Sequence, residues 1–324
     1  MKRRRRARRR GVGVFDWLFA QLVLGILKLL RLMPAQAAIS IGGRCGRILG
    51  PRLPHSRTAR DNLRHAYPDM PAEELEALLA DAWDNLSRTA IEYVFLDRIF
   101  DFDPQHPGAG RIEVDGVDGF FKIRDGGKPC IVFTAHLANW ELLAVCAATF
   151  HLDVAVLFRP PNNAYLAQRL DQVRGRVMGA LVKSRKGALI ELGAVLERGG
   201  HVGLLVDQYF HRGPTVPFFG RPVKVNPALA TLARRYGCDV YGVRTIRLPQ
   251  GRFRLELKGP IAMPRDEAGD IDVKATMAKV TEIVEGWVRE HPEQWLWMHR
   301  RWRPEALSRR PKRRSARGTS RQRP

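Results

Sequence analysis

His136 closes the apolar run Ile131-Val132-Phe133-Thr134-Ala135, and Glu141 follows five positions later in His136-Leu137-Ala138-Asn139-Trp140-Glu141. In an α/β sheet, reactive groups collect in loops at the carboxyl ends of strands, which is where this histidine falls. An imidazole with one nitrogen held by a carboxylate and the other left open is a general base. Were both residues helical, the spacing would set them about 140° apart, out of reach of each other. Pairing therefore needs His136 in a strand-to-helix loop, with Glu141 in the first helical turn reaching back and Asn139 as N-cap. Spacing alone leaves a solvated loop or a simple cap equally open. Arg159 follows a second strand-like run, and Asp207-Gln208 end a third, on the same expected edge. An arginine there suits a phosphate or a developing oxyanion, but also a structural ion pair, and the aspartate suits a loop brace as well as a site.

No Gly-x-Ser-x-Gly elbow occurs, and Cys45, Cys130, Cys146 and Cys238 stand in no His-partnered motif. The cysteines form no Cys-x-x-Cys and read as reduced core residues, and no metal-ligand run appears, so neither metal nor cofactor is implied.

The elements that must position these groups alternate. Strand-like runs at 130–135, 154–158, 181–182, 202–206 and 240–247 are separated by helical patterns at 140–150, 164–178, 188–198 and 227–236. That is the sequence form of a mixed, largely parallel sheet covered by helices. Phe253 to Leu257 reads as an antiparallel partner of Val243 to Arg247 across Pro249-Gln250-Gly251, and Lys274 to Glu290 as a last amphipathic helix. Ahead of the sheet, 55–67 and 71–97 are helical. The second keeps a 3.6-residue apolar period from Leu75 to Val94, with Pro71 and Glu73-Glu74 suited to its first turn. A loop to Gly110 and a short strand at 112–114 join them to the sheet.

The 324-residue chain has a net charge of +22, which suggests nucleic acid until its position is considered. Residues 1–10 hold eight Lys/Arg and 305–324 eight more against the single Glu305, leaving +7 in between. The basicity lies mostly in two tails suited to anionic lipid, an acidic partner or RNA. Val12 to Leu30 is apolar apart from Asp16 and Lys28, with a charge-free stretch, Trp17 to Leu27, of only 11 residues. Ala35-Gln36-Ala37 makes a cleaved signal peptide the competing reading. We read 1–34 as a basic N-terminus and uncleaved anchor, crossing once or lying in the interface with the N-terminus in the cytoplasm. Residues 35–304 form the main domain, and 305–324 a basic disordered tail.

Several stretches resemble one family in order: Asn62 to Met70 with Glu92 downstream, His136 to Glu141, Phe158 to Asn163 (FRPPNN), Gly199 to Gln208, Val216 to Val223, and His291 to Trp302. They are similar to the acyltransferases that add secondary acyl chains to lipid A, whose signature is H-x-x-x-x-D/E. One departure is Lys224-Val225-Asn226-Pro227, where many relatives are Thr-rich. The resemblance implies a glycerolipid-acyltransferase-like fold and makes His136 and Glu141 a catalytic dyad. Arg159, Asn162, Asp207 and Gln208 become candidate substrate-binding residues. It further implies an acyl carrier protein thioester as donor, a lipid A precursor as acceptor, and the cytoplasmic face of a bacterial inner membrane. In the closing run, Trp295, Trp297 and Trp302 read as core or interfacial aromatics, and Arg300, Arg301 and Arg303 as headgroup contacts. The alternatives are the same chemistry on another lipid, such as a phosphatidylinositol mannoside or aminolipid, or a non-catalytic basic protein binding RNA or membrane. No RNA- or DNA-binding motif is present to favour a specific nucleic acid.

Overall fold

The computed structural model describes residues 13–158, 165, 172, 174–175 and 177–303. Arg159 and Asn162, most of the helix expected over 164–178, and both basic tails lie outside these residues. Five helices come first: α1 (Val14–Leu30), α2 (Ala35–Leu49), α3 (His55–Ala66), α4 (Ala72–Glu92) and the short α5 (Leu96–Ile99). The alternating part then runs β1 (Ile112–Asp115), α6 (Val117–Asp125), β2 (Cys130–Thr134), α7 (Glu141–Thr149), β3 (Val154–Phe158), β4 (Ala180–Lys183), α8 (Ala188–Glu197) and β5 (His201–Leu205). It ends with β6 (Thr215–Phe218), β7 (Arg221–Lys224), α9 (Ala228–Tyr236), β8 (Asp239–Arg247), β9 (Phe253–Lys258) and α10 (Val273–Glu290).

Seven strands make one sheet in the order β1-β9-β8-β2-β5-β3-β4. Only β8 and β9 pair antiparallel, with Val243 opposite Leu257 and Arg247 opposite Phe253, the pairing expected from sequence. Every other neighbouring pair is parallel. Strands buried on both faces need apolar residues in succession, and Cys-Ile-Val-Phe-Thr in β2 meets that demand.

The two faces differ. Ile131 and Phe133 of β2 are fully buried, and Phe133 stacks on Trp287 of α10 with ring centroids 5.6 Å apart. Strand alternation turns Val132 and Thr134 to the opposite face, beneath α7, where packing is looser. Helix ends follow local chemistry: the Asp272 carboxylate accepts the Ala275 N–H at 2.8 Å to open α10, and Gly237, at φ 60°, closes α9.

Some features depart from expectation. The hairpin β6–β7 is unforeseen; its turn, Phe219-Gly220, has positive φ at both residues. Phe219 accepts that backbone because its ring is buried against Tyr67, Trp297 and Trp302 and its N–H bonds Glu285 Oε2. α1 has 17 residues, and among the described residues no helix is long and apolar enough to cross a membrane. Three cysteines are buried as expected, but Cys45 is exposed on α2. Trp295, Trp297 and Trp302 are buried, and so is Arg301, at 1% exposure over the Phe218 ring, so it is no headgroup contact.

Candidate functional site

The register of β2 on β5 builds the site. Thr134 pairs with Leu205, and the Val206 N–H still reaches Thr134 O at 3.1 Å, so the two residues that follow, His136 and Asp207, emerge side by side. Asp207 takes hold of His136 twice. Its Oδ1 lies 2.8 Å from the imidazole Nδ1, and its Oδ2 accepts the His136 backbone N–H at 2.8 Å. The Trp295 indole N–H donates to the same Oδ2 at 2.8 Å. Burial alone would raise this carboxyl, but the imidazole and the converging N–H donors outweigh it and hold Asp207 well below the usual carboxylate range. A permanently ionised Asp207 fixes the proton on Nδ1 and leaves Nε2 as the acceptor. The Gln208 side-chain nitrogen lies 3.3 Å from Nε2, and the imidazole meets the Trp140 ring edge-on at 4.8 Å.

The loop carrying His136 is clamped from both sides. Ala138 sits at φ 46°, a left-handed conformation that costs an L-residue about 1–2 kcal/mol. Its N–H donates to Gln294 O at 2.9 Å and its carbonyl accepts from Thr89 Oγ1 at 3.0 Å, while the Leu296 N–H donates to His136 O at 3.1 Å. Asn139 Nδ2 donates to Glu92 Oε2 at 3.0 Å, and Glu92, itself buried, pairs with Arg247. Asn139 Oδ1 also accepts the Glu141 N–H at 3.2 Å, so it braces the start of α7 although Trp140 is the cap residue.

Glu141 does not hold His136. Its Oε1 instead accepts from the Tyr93 hydroxyl, from Trp140 Nε1 at 3.0 Å and from Arg174 Nη2 at 2.5 Å. The expected pairing fails because α7 begins at Glu141 itself, which fixes that side chain to its helix, while the neighbouring strand end delivers Asp207 to the imidazole. Asp207 and Gln208, placed by sequence only among binding residues, thus contact the histidine directly. Trp295, Tyr93 and Arg174 carried no sequence signal for the site: the first lies 159 residues from His136, and the contacts of the other two depend on tertiary packing.

Beside this pair of clusters opens an apolar cleft between α7 and the sheet. Thr134, Trp140, Glu141 and Arg174 line it together with Val132, Val156, Leu143, Ala144, Phe120 and Leu257. Its floor crosses the strands along the row Leu181, Val156, Gly203, Val132, set by the β4–β3–β5–β2 register. Gly203 is the one member without a side chain, and a Cβ there would stand 3.2 Å from Val156 Cγ2. Among the described residues no cluster of His, Cys, Asp and Glu could hold a metal ion.

The profile of the family described as bacterial lipid A biosynthesis acyltransferase matches residues 9–304. Among curated relatives, the chain is 25% identical over 289 residues to the lipid A biosynthesis palmitoleoyltransferase of Escherichia coli (strain K12), covering 86% of this chain and 89% of that one. The same identity and coverage relate it to the lipid A biosynthesis acyltransferase of Shigella flexneri.

Proposed function

Since the chain belongs to the bacterial lipid A biosynthesis acyltransferases, we propose that it moves a fatty acyl chain from an acyl carrier protein thioester to a hydroxyl of a lipid A precursor, adding a secondary chain. The observation that carries the reading is His136 held at Nδ1 by the ionised Asp207 and packed against Trp140, which lines an apolar cleft. His136 Nε2 takes the proton of the acceptor hydroxyl as its oxygen attacks the thioester carbonyl carbon. The tetrahedral intermediate collapses by breaking the C–S bond, and the imidazolium returns the proton to the departing sulfur. The products are an ester and a thiol, with His136 restored. The base is therefore a His136–Asp207 pair rather than the His136–Glu141 pair expected from sequence. The acyl chain lies in the cleft under α7, whose lining is mostly apolar.

Membrane association belongs to the same reading. Leu18, Leu22, Ile26 and Leu29 recur at helical spacing on α1 with large exposures, and Ile48, Leu49 and Leu53 near the end of α2 are exposed as well. We place α1, with this exposed apolar stripe, in the interface of the cytoplasmic leaflet. The basic residues 2–10 that precede it suit an anionic surface.

The test is acyl transfer by membranes carrying wild type or His136→Ala, offered labelled lipid A precursor and a panel of acyl carrier protein thioesters. Product with wild type and a loss of at least about 100-fold in the variant is the expected result. Equal activity would remove His136 as the base, and no product from either would move the acceptor to another lipid.

A further inference from the structure

Arg174, which with Trp140 and Glu141 lines the apolar cleft, is 9% exposed. One of its nitrogens is fully engaged: Nη2 donates to Glu141 Oε1 at 2.5 Å and to the Tyr93 hydroxyl at 2.8 Å. The guanidinium carbon lies 5.3 Å from the Phe158 ring centroid and 5.7 Å from that of Tyr93. Among the described residues its Nε and Nη1 are buried with no hydrogen-bond partner. A rigidly mounted arginine with two unsatisfied donors on a desolvated wall is built to receive an oxygen.

Charge decides which oxygen. Glu141 already neutralises the guanidinium, and the Tyr93 phenol, raised well above its ordinary value chiefly by burial and then by the Glu141 charge, stays protonated. The cluster is therefore neutral overall, a poor match for a phosphate dianion in an apolar cleft. It suits an oxygen that arrives neutral and gains negative charge only during reaction.

Building on the acyltransferase reading, we propose that Arg174 is the oxyanion donor, binding the thioester carbonyl oxygen through Nε and Nη1 as the tetrahedral intermediate forms. Glu141 is then a positioning residue: it acts through Arg174 and not through His136. Trp140 sits between the two arms, touching the imidazole with its ring and Glu141 with its N–H. The attacking hydroxyl approaches from the His136 side, and the charge that its attack puts on the carbonyl oxygen develops on the Arg174 side. Protons and electrons balance as in the transfer above, since Arg174 only donates hydrogen bonds.

The experiment uses the full chain in membranes and three variants. Arg174→Lys keeps a cation beside Glu141 but loses the two free donors. Arg174→Gln combined with Glu141→Gln keeps the cluster neutral where the single change leaves a buried carboxylate unpaired. Glu141→Gln alone tests the positioning role. Arg174→Lys and the double variant are expected to lose about 100- to 1,000-fold in kcat with little change in KM for the thioester. Glu141→Gln is expected to lose less. Binding gives a second readout: wild type should prefer an acyl difluoroketone analogue, whose hydrate presents the tetrahedral oxygen of the intermediate, over a thioether analogue, which has no such oxygen, and Arg174→Lys should abolish that preference. Unchanged kcat in folded Arg174→Lys, or a retained preference for the ketone, overturns the proposal and leaves the acyltransferase reading intact. A deficit that disappears with a dephosphorylated acceptor lipid would reassign Arg174 to phosphate and overturn it too. No transfer by wild type would overturn both.

Discussion

The two faces of the central sheet are built from the same strands and put to opposite uses. On one, Ile131 and Phe133 are fully buried against α9 and α10, and the Phe133 and Trp287 rings stack. On the other, Val132 and Thr134, one position away along β2, look into a cleft that Gly203 keeps open. Alternation of period two lets a single five-residue strand carry stability on its odd positions and a substrate chamber on its even ones. The chemistry sits where neither face dominates, at the strand ends, braced by residues from α4 and the segment 291–297.

Changes confined to one face should therefore separate activity from stability. The largest effect on activity is expected from His136→Ala: transfer falls by about 100- to 10,000-fold, read by thiol release, with a much smaller loss in thermal unfolding because Asp207 loses the imidazole but keeps the backbone N–H of residue 136 and the Trp295 indole. Phe133→Ala should do the reverse, costing about 3–5 kcal/mol in denaturant unfolding while the protein that remains folded keeps its activity. A substitution that spoils both equally would show the faces to be coupled. Gly203→Leu should sharpen the contrast further. Its side chain enters the cleft floor between Val156 and Val132, so the preferred donor shortens by several carbons in a competition among acyl carrier protein thioesters, with kcat on short chains maintained.

Acid provides a smaller test of the strand-end region. His299 is pushed down to about 4, mainly by burial, so the unfolded chain binds its proton more readily than the folded one between about pH 6.5 and 4. Folding stability should decline as pH falls through that window. Asp207 is depressed in the folded state, so its contribution is complete above the ordinary carboxylate value and is lost only at lower pH still. Replacing His299 by Gln should flatten the pH 6.5–4 slope in urea titrations and leave the more acidic one.

Much of this arrangement was legible in the sequence because it is local. The strand runs, the hairpin across Pro249-Gln250-Gly251 and the place of His136 at a strand end all follow from patterns a few residues long. The partner of His136 did not, since choosing between Glu141 and Asp207 requires knowing that β2 and β5 are neighbours and in which register. Sequence closeness favoured Glu141, whereas the sheet supplies Asp207 from 71 residues away. Arg301 misled for a similar reason: a basic residue in an Arg-rich run reads as surface, yet the aromatic shell of Phe218 and Trp302 encloses it.

The central claim is that His136 and Asp207 act as one unit, and a double-substitution comparison tests it most directly. Asp207→Asn, His136→Ala and the pair together would be assayed for transfer to lipid A precursor in membranes, with folding checked in each. The account predicts that Asp207→Asn alone loses at least about 100-fold in kcat and that the double variant is no worse than His136→Ala alone. Near wild-type turnover by folded Asp207→Asn, with the loss appearing instead in a His136–Glu141 comparison of the same design, would contradict it.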